Sequence, residues 1–281
     1  MICDLHTHST FSDGTLTPEE IILLAKKKGL YAVALTDHNT VLGLPEFIAA
    51  GKKHGVRAVC GVEFSTEWQG KEVHTVALFV GEEHFMEVTA LVEDAKRLKE
   101  ESNKKLVEAL RQAGYAVDYD ELKRRSKGQF NRAHVAAMLV ESGAVSSREE
   151  AFATLLRPHG DFYEPPRRLD TLDVVKFIRK IGAIPVLAHP LFSFDKETAR
   201  RLAGEMKEAG LIAMETLYST YTPSAVSDAC EIADSLALLP SGGSDFHGEN
   251  KPGLELGTGF GSLSVPSSVY EALAERVKIQ R

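Results

Sequence analysis

Six of the ten histidines in this 281-residue chain fall beside short apolar runs, and several sit where those runs end. His6 and His8 are two apart at the end of one run, and a period of two turns both imidazoles to the same face of an extended segment, which suits one metal ion. Asp13 follows in the same loop. Thr36-Asp37-His38 closes a second run, Gly61-Val62-Glu63 a third, Ala188-His189-Pro190 a later one, and Ser244-Asp245-Phe246-His247 the last. His74 is awkward, because it stands near the start of its run rather than the end.

Together His6, His8, Asp13, His38, Glu63, His74, His189, Asp245 and His247 offer nine ligands. That is too many for one tetrahedral ion and suits two or three divalent ions sharing a bridge. Imidazole and carboxylate without thiolate favour manganese, with iron or zinc as alternatives, over calcium. Asp37 either orients His38 or caps the helix that follows.

The elements that must position these residues read as alternating strands and helices. Strands are expected at Ile2 to His6, Tyr31 to Thr36, Val56 to Val62, Val73 to Phe79, Ile184 to Ala188, Leu211 to Thr216 and Ala237 to Ser241. Helices are expected at Pro18 to Lys28, Leu44 to His54, Thr171 to Ile181, Lys196 to Ala209 and Pro223 to Ser235. Thr17-Pro18-Glu19-Glu20 has the form of a helix start, and Gly29 and Gly210 stand where helices end.

This alternation predicts an α/β fold, a (β/α) barrel in which the C-terminal ends of parallel strands gather the site on one rim. The barrel is assigned residues 1–81 and 169–281, and residues 82–168 a helical insertion domain for substrate recognition, packed over one end. Within the insertion, helices are expected at Glu87 to Ala113, Tyr119 to Ser126, Arg132 to Ser142 and Ser147 to Leu156.

Composition narrows the function. With 33 basic and 40 acidic residues the net charge is −7, so no overall field attracts nucleic acid or an anionic membrane. No apolar run approaches the roughly 20 residues that cross a bilayer, and the start lacks a secretory pattern, so the expected location is the cytoplasm. Cys3, Cys60 and Cys230 are odd in number and widely spaced, which predicts structural thiols rather than a disulfide framework.

The motifs D-L-H-T-H-S at Asp4 to Ser9, T-D-H-N at Thr36 to Asn39, A-H-P at Ala188 to Pro190 and S-D-F-H at Ser244 to His247 resemble the four motifs of the PHP family, the polymerase and histidinol phosphatase superfamily of metal-dependent phosphoesterases. The resemblance implies a distorted (β/α)7 barrel. It also implies that Glu63 bridges two ions, with His6, His8 and Asp245 on one, His74 and His189 on the second, and Asp13, His38 and His247 on a third. Asp13, His38, Glu63 and His247 form the expected catalytic set.

Within that family the insertion resembles that of phosphatases acting on nucleoside 3′,5′-bisphosphates, whose relatives trim RNA 5′ ends. Arg132-Ala133-His134 is similar to their phosphate-binding R-P-H pattern, with Ala in place of Pro. Where two arginines spaced by three are common on the first long insertion helix, this chain has Lys99 and Ser102, followed by Asn103. Arg132, His134, Ser102 and Asn103 are thus the substrate-binding candidates, and His159 is a further histidine of the insertion.

The activity expected is hydrolysis of a phosphomonoester on a small nucleotide, the 3′-phosphate of a nucleoside 3′,5′-bisphosphate, by a metal-bridging hydroxide. Three ions against Asp13, Glu63 and Asp245 would leave a pocket of about +3 inside an acidic protein. A 5′-to-3′ exoribonuclease on short RNA is the alternative, guided by Lys123, Arg124, Arg125 and Lys127. A phosphatase of another metabolite, such as histidinol phosphate, would use the same rim. An amidohydrolase would not need Asp13, His38 and Glu63 together, and a degenerate binding module would lack ligands that are all present. No membrane or obligate protein partner is inferred.

Overall fold

The computed structural model describes residues 1–125, 130, 132–166 and 168–280. In chain order the strands are β1 (Ile2–Cys3), β2 (Ala32–Leu35), β3 (Arg57–Trp68), β4 (Lys71–Leu78), β5 (Leu169–Asp170), β6 (Ile184–Leu187), β7 (Ala213–Tyr218), β8 (Leu239–Gly243) and β9 (Val265–Pro266). The helices are α1 (Pro18–Lys27), α2 (Leu44–His54), α3 (Phe85–Gln112), α4 (Tyr119–Arg125), α5 (Arg132–Glu141), α6 (Arg148–Ala153), α7 (Thr171–Lys180), α8 (Pro190–Ser193), α9 (Lys196–Ala209), α10 (Pro223–Ser235) and α11 (Ser267–Gln280).

Two compact units result, Met1–Ala90 with Leu169–Arg281, and Leu91–Arg168. In the first, an α/β fold, six strands form the path β2-β3-β4-β6-β7-β8 with β5 added beside β3. The segment after β1 meets both edges of that curled sheet. Asp4 N–H donates to Ala32 O and Ala34 N–H to Asp4 O, while Leu5 N–H donates to Gly242 O and Asp245 N–H to His6 O.

One expectation is overturned here: the sheet is not all parallel. β4 runs antiparallel to both β3 and β6. The cause is a two-residue hairpin at Gln69-Gly70, whose φ values of +50° and +76° match the positive φ that such tight turns demand. The reversal explains His74, since the start of an antiparallel strand lies on the rim where its parallel neighbours end.

Helix punctuation follows the sequence closely. Thr17 accepts from Glu20 N–H and Glu20 answers on Thr17 N–H, a capping box, and Gly210 ends α9 at φ +113°. The short β5 and α8 were not foreseen, nor were β9, antiparallel to β1, and α11. Val269, Leu273 and Val277 of α11 join Cys3, Leu5, Val186 and Val265 in one core cluster. A second cluster joins Val175, Leu202, Met206, Ile232 and Ala233 of α7, α9 and α10 to Val73, Leu187 and Met214 of the sheet.

The second unit holds its own core, in which Leu106, Leu110, Leu122, Phe130, Val135, Leu139 and Leu156 are buried. α6 ends at Ala153, short of the expected Leu156, and Ser147 stands outside it as the N-cap. Ser126 and Lys127 lie outside the described residues. All three cysteines are free, with Cys3 buried and Cys60 and Cys230 partly so.

Candidate metal centre

Strand ends converge on Glu63, which is buried and splits its two oxygens between two sets of imidazoles. Oε2 lies 3.3 Å from both His6 Nε2 and His8 Nε2. Oε1 lies 2.9 Å from His74 Nδ1 and 3.1 Å from His189 Nε2. Asp245 Oδ1 completes the first set, 3.2 Å from His8 Nε2 and 3.8 Å from His6 Nε2, and those two ring nitrogens are 3.1 Å apart. Tetrahedral coordination with bonds of about 2.1 Å has edges of about 3.4 Å, so the atoms of His6, His8 and Glu63 already stand at the spacing an ion requires, with Asp245 beside the two imidazoles.

A further group gathers around Asp13, whose Oδ1 is 3.1 Å from His247 Nε2 and whose Oδ2 is 3.7 Å from His38 Nε2. His8, Asp13, His38 and His247 can all present ligand atoms within 4.8 Å of one another. The buried Nδ1 atoms of His8 and His38 make no hydrogen bond, although Glu63 Oε2 is only 3.0 Å from the latter. Buried imidazole nitrogens that make no hydrogen bond, among carboxylates spaced for coordination, are what a divalent-ion centre predicts.

Electrostatics agree. Burial alone would lower the pKa of His6, but the carboxylates of Glu215, Glu63 and Asp245 together hold it well above the usual value. Burial likewise opposes His74, which Glu63 and Glu72 nevertheless raise to about 10. Glu63 and Asp245 resist their own burial and stay well below the carboxylate range, His6 being the leading cause for both. Asp13, despite partial burial, is held down to about 2, first by its hydrogen bond with His247. His38 goes the other way, burial lowering it to about 4. Without an ion, a cluster of carboxylates is balanced by protonated imidazoles.

Backbone geometry is specialised at the same place. His189 and Asp245 adopt φ of +30° and +57°, a conformation that non-glycine residues rarely take and that must be held by its surroundings. At Gly243 a Cβ would meet His6 Cβ at 2.5 Å, so only glycine lets the last strand approach the first ligand.

Two buried aspartates brace the ligand loops. Asp4 accepts from Ser244 N–H, Ser244 Oγ, His6 N–H and Gly257 N–H. Asp37 accepts from Ser9 N–H, Ser9 Oγ and Ser12 Oγ, at 2.7, 2.6 and 2.6 Å. Neither sequence reading of Asp37, as an orienter of His38 or a helix cap, describes this: its oxygens hold the loop leading to Asp13, and α2 is capped instead at Gly43.

The sequence reading missed Glu215, which is 2% exposed on β7. Its Oε1 is 2.8 Å from His6 Nδ1, and its Oε2 accepts the backbone N–H of His189 at 2.7 Å. The available signal was an acid inside the otherwise apolar run Ile212-Ala213-Met214-Glu215. Counting it, the expected three divalent ions against four carboxylates would leave about +2 rather than +3. Tyr218 and Lys251 were missed as well, and both donate to Asp245 Oδ2.

The substrate-binding candidates lie in the second unit. Arg132 half-buries its guanidinium 4.6 Å from the Tyr163 ring centroid, with one N–H donated to Leu156 O at 3.0 Å. Ser102 Oγ donates to Glu164 O and Asn103 Nδ2 to Phe130 O. His134 is exposed on α5, and His159 pairs with Glu164. Among the described residues the basic cluster is paired, by Glu121 of its own helix and by acids distant in sequence: Lys123 pairs with Glu100, Arg124 with Glu121, and Arg125 with Glu121 and Glu141.

Six imidazoles and four carboxylates gathered at one end of a curled α/β sheet are the build of a metal-dependent hydrolase. The chain belongs to the PHP domain family, whose model matches residues 4–160. It is 34% identical over 87% of its length to a 5′-3′ exoribonuclease of Haemophilus influenzae, covering 89% of that protein. It is 32% identical to a 3′,5′-nucleoside bisphosphate phosphatase of Chromobacterium violaceum, over 90% of each chain. Among solved structures it is similar to a metal-dependent phosphoesterase from Bifidobacterium adolescentis, with a TM-score of 0.67 and 26% identity over 98% of this chain and 96% of the other. It is also similar to a chain described as an amidohydrolase from Chromobacterium violaceum, holding sulfate and no metal, with a TM-score of 0.71 and 29% identity over 98% and 97%. The protein is accordingly a metal-dependent phosphoric ester hydrolase of the PHP family. No helix among the described residues is long and apolar enough to cross a membrane.

Proposed function

We propose that the enzyme removes the 3′-phosphate from nucleoside 3′,5′-bisphosphates. The observation that supports it is the pair of opposed faces on Glu63, each flanked by imidazoles, which suits ions gripping one phosphate from two sides. The likeness to a bisphosphate phosphatase along 90% of both chains supports the substrate class.

Bound divalent ions supply a water acidic enough to lose its proton near neutral pH and neutralise the charge on phosphate oxygens. Manganese suits the imidazole and carboxylate donors, with iron or zinc as alternatives, and two or three ions fit the grouping. Glu63 holds its two sets of imidazoles one carboxylate apart. Asp245 keeps Oδ1 turned to His6 and His8 because Tyr218 and Lys251 occupy Oδ2. His38 is neutral and Asp13 anionic at working pH, so both are ready to ligate. In this reading Asp13, His38, Glu63 and His247 surround the reacting phosphate.

The first unit is read as a distorted (β/α)7 barrel closed by the Asp4–His8 segment, with residues 82–168 as the recognition insertion. There Arg132, a planar donor set against Tyr163, reads the phosphate that is kept, and Ser102, Asn103 and His134 shape its surroundings. A nucleotide substrate and free thiols suit the cytoplasm.

A second reading, 5′-to-3′ exonuclease action on short RNA, is favoured by relatives of that description at 34% and 30% identity. The paired state of Lys123, Arg124 and Arg125 counts against a basic track for the chain.

The test is phosphate release by manganese-loaded protein from adenosine 3′,5′-bisphosphate, with AMP, histidinol phosphate and a 5′-phosphorylated RNA in parallel. Selective turnover of the bisphosphate, abolished by His8→Ala, is expected. Turnover of RNA alone makes the enzyme a nuclease, and turnover of histidinol phosphate alone removes the nucleotide reading.

A further inference from the structure

Glu215 touches two residues that stand on opposite oxygens of Glu63. Its Oε1 meets His6 Nδ1 at 2.8 Å, and the other nitrogen of that ring, Nε2, faces Glu63 Oε2. Its Oε2 accepts the N–H of His189, whose own Nε2 faces Glu63 Oε1. The carboxylate is 2% exposed, and both of its oxygens are thus committed.

We propose that Glu215 is a positioning residue that prepares both ion positions at once, fixing the tautomer of His6 and the strained backbone of His189. A carboxylate can only accept, so the nitrogen of His6 beside it must carry the hydrogen and Nε2 is left with its lone pair toward the ion. At His189 the same carboxylate anchors a backbone at φ +30° that would otherwise relax, and with it the ring that follows. Glu63, with one oxygen toward each set of imidazoles, would join the two ion positions as a ligand. Glu215 joins them from behind, through hydrogen bonds to the ligands.

An amide cannot do both tasks. In Glu215→Gln the single oxygen can serve His189 N–H or His6 Nδ1–H, and the NH2 group then faces the remaining donor. If it faces His6, the ring is pushed to the tautomer with hydrogen on Nε2, which cannot ligate.

Titration of the metal-free protein with Mn²⁺ tests the proposal, with occupancy read by elemental analysis and affinity by calorimetry. Glu215→Gln is expected to weaken binding by about 10- to 100-fold, and at more than one ion. His74→Ala, which removes a ligand from one face of Glu63, should lower occupancy there alone. Manganese binding equal to wild type in Glu215→Gln overturns the proposal, and so does loss confined to one ion. Because a buried substitution can compromise folding, the zinc-loaded wild type provides a second measurement. Its His6 ring nitrogens, read by ¹⁵N NMR, should show hydrogen on Nδ1, and hydrogen on Nε2 overturns the assignment. Failure of wild type to bind Mn²⁺ would instead sink the metal centre itself, a separable outcome.

Discussion

Lys251 Nζ lies 2.6 Å from Asp245 Oδ2, on the side of the carboxylate opposite the one that faces His6 and His8. The side chain of Lys251 is 37% exposed while that of Asp245 is only 7% exposed, so a surface cation reaches in to a buried ligand. Replacing it by Met leaves Tyr218 as the remaining donor to that oxygen. Lys251→Met should destabilise the metal-free protein by about 1–3 kcal/mol, discounted toward the lower figure by solvent screening. It should cost less in the manganese-loaded protein, where an ion also balances Asp245. Thermal unfolding of both forms checks this, and equal losses would show that Lys251 does not compensate the carboxylate.

Arg132 offers a test of specificity in the second unit. Arg132→Ala should raise KM for a nucleoside 3′,5′-bisphosphate by about 10-fold or more, the worth of a charge-assisted hydrogen bond. KM for a monophosphate should change little. Parallel kinetics on the two substrates decide the point, and equal losses on both would remove Arg132 from the role of reading the second phosphate.

Asp37 is predicted to act through a loop rather than through a histidine. Asp37→Ala strands three donors of Ser9 and Ser12, and should cost about 3 kcal/mol. Asp13, at the end of that loop, should be displaced while His38 keeps its place. A crystal structure of the variant showing His38 reoriented and the loop intact would reverse the assignment.

Burial pushes the thiols of Cys3 and Cys60 up to about 12 from 9.0. At pH 8 their thiolate fraction is then about a thousandfold below that of an ordinary thiol, so a disulfide reagent should find at most one fast thiol in native protein and three after denaturation. Stability should fall as pH rises from about 9 toward 12, because the unfolded chain gives up protons there that the fold retains. Two or three fast thiols at pH 8 would contradict the burial.

The ligands were legible because coordination needs particular side chains at particular spacings. His6-x-His8 and Asp245-x-His247 carry that chemistry openly. Helices α2, α9 and α10 match their expected bounds because local signals mark their ends: Pro45 and Gly55 on the first, Asp195 and Gly210 on the second, and Thr222-Pro223 at the start of the third. The direction of β4 was not legible, since Gln69-Gly70 is a weaker hairpin signal than Asn-Gly, and the hydrophobic pattern of a strand does not record which way it runs. Glu215 escaped because it looks like one more strand residue until β7 is laid beside His6. The spacing of Val269, Leu273 and Val277 did announce α11, and was passed over. Charge was misjudged on α4 because the acids that pair with its cations include Glu100 and Glu141, distant in sequence.

The bond from Asp4 to Ser244 spans 240 residues of chain. During synthesis at about 5–20 residues per second, the Asp4–His8 segment is therefore made roughly 12–50 s before its partner at Ser244 exists. Until then Leu5, His6 and His8 have β2 on one side only, and the other side is an open strand edge. The segments that carry His6 and Asp245 are thus made far apart in time, so the nascent protein must keep the first of them soluble before an ion could be held there.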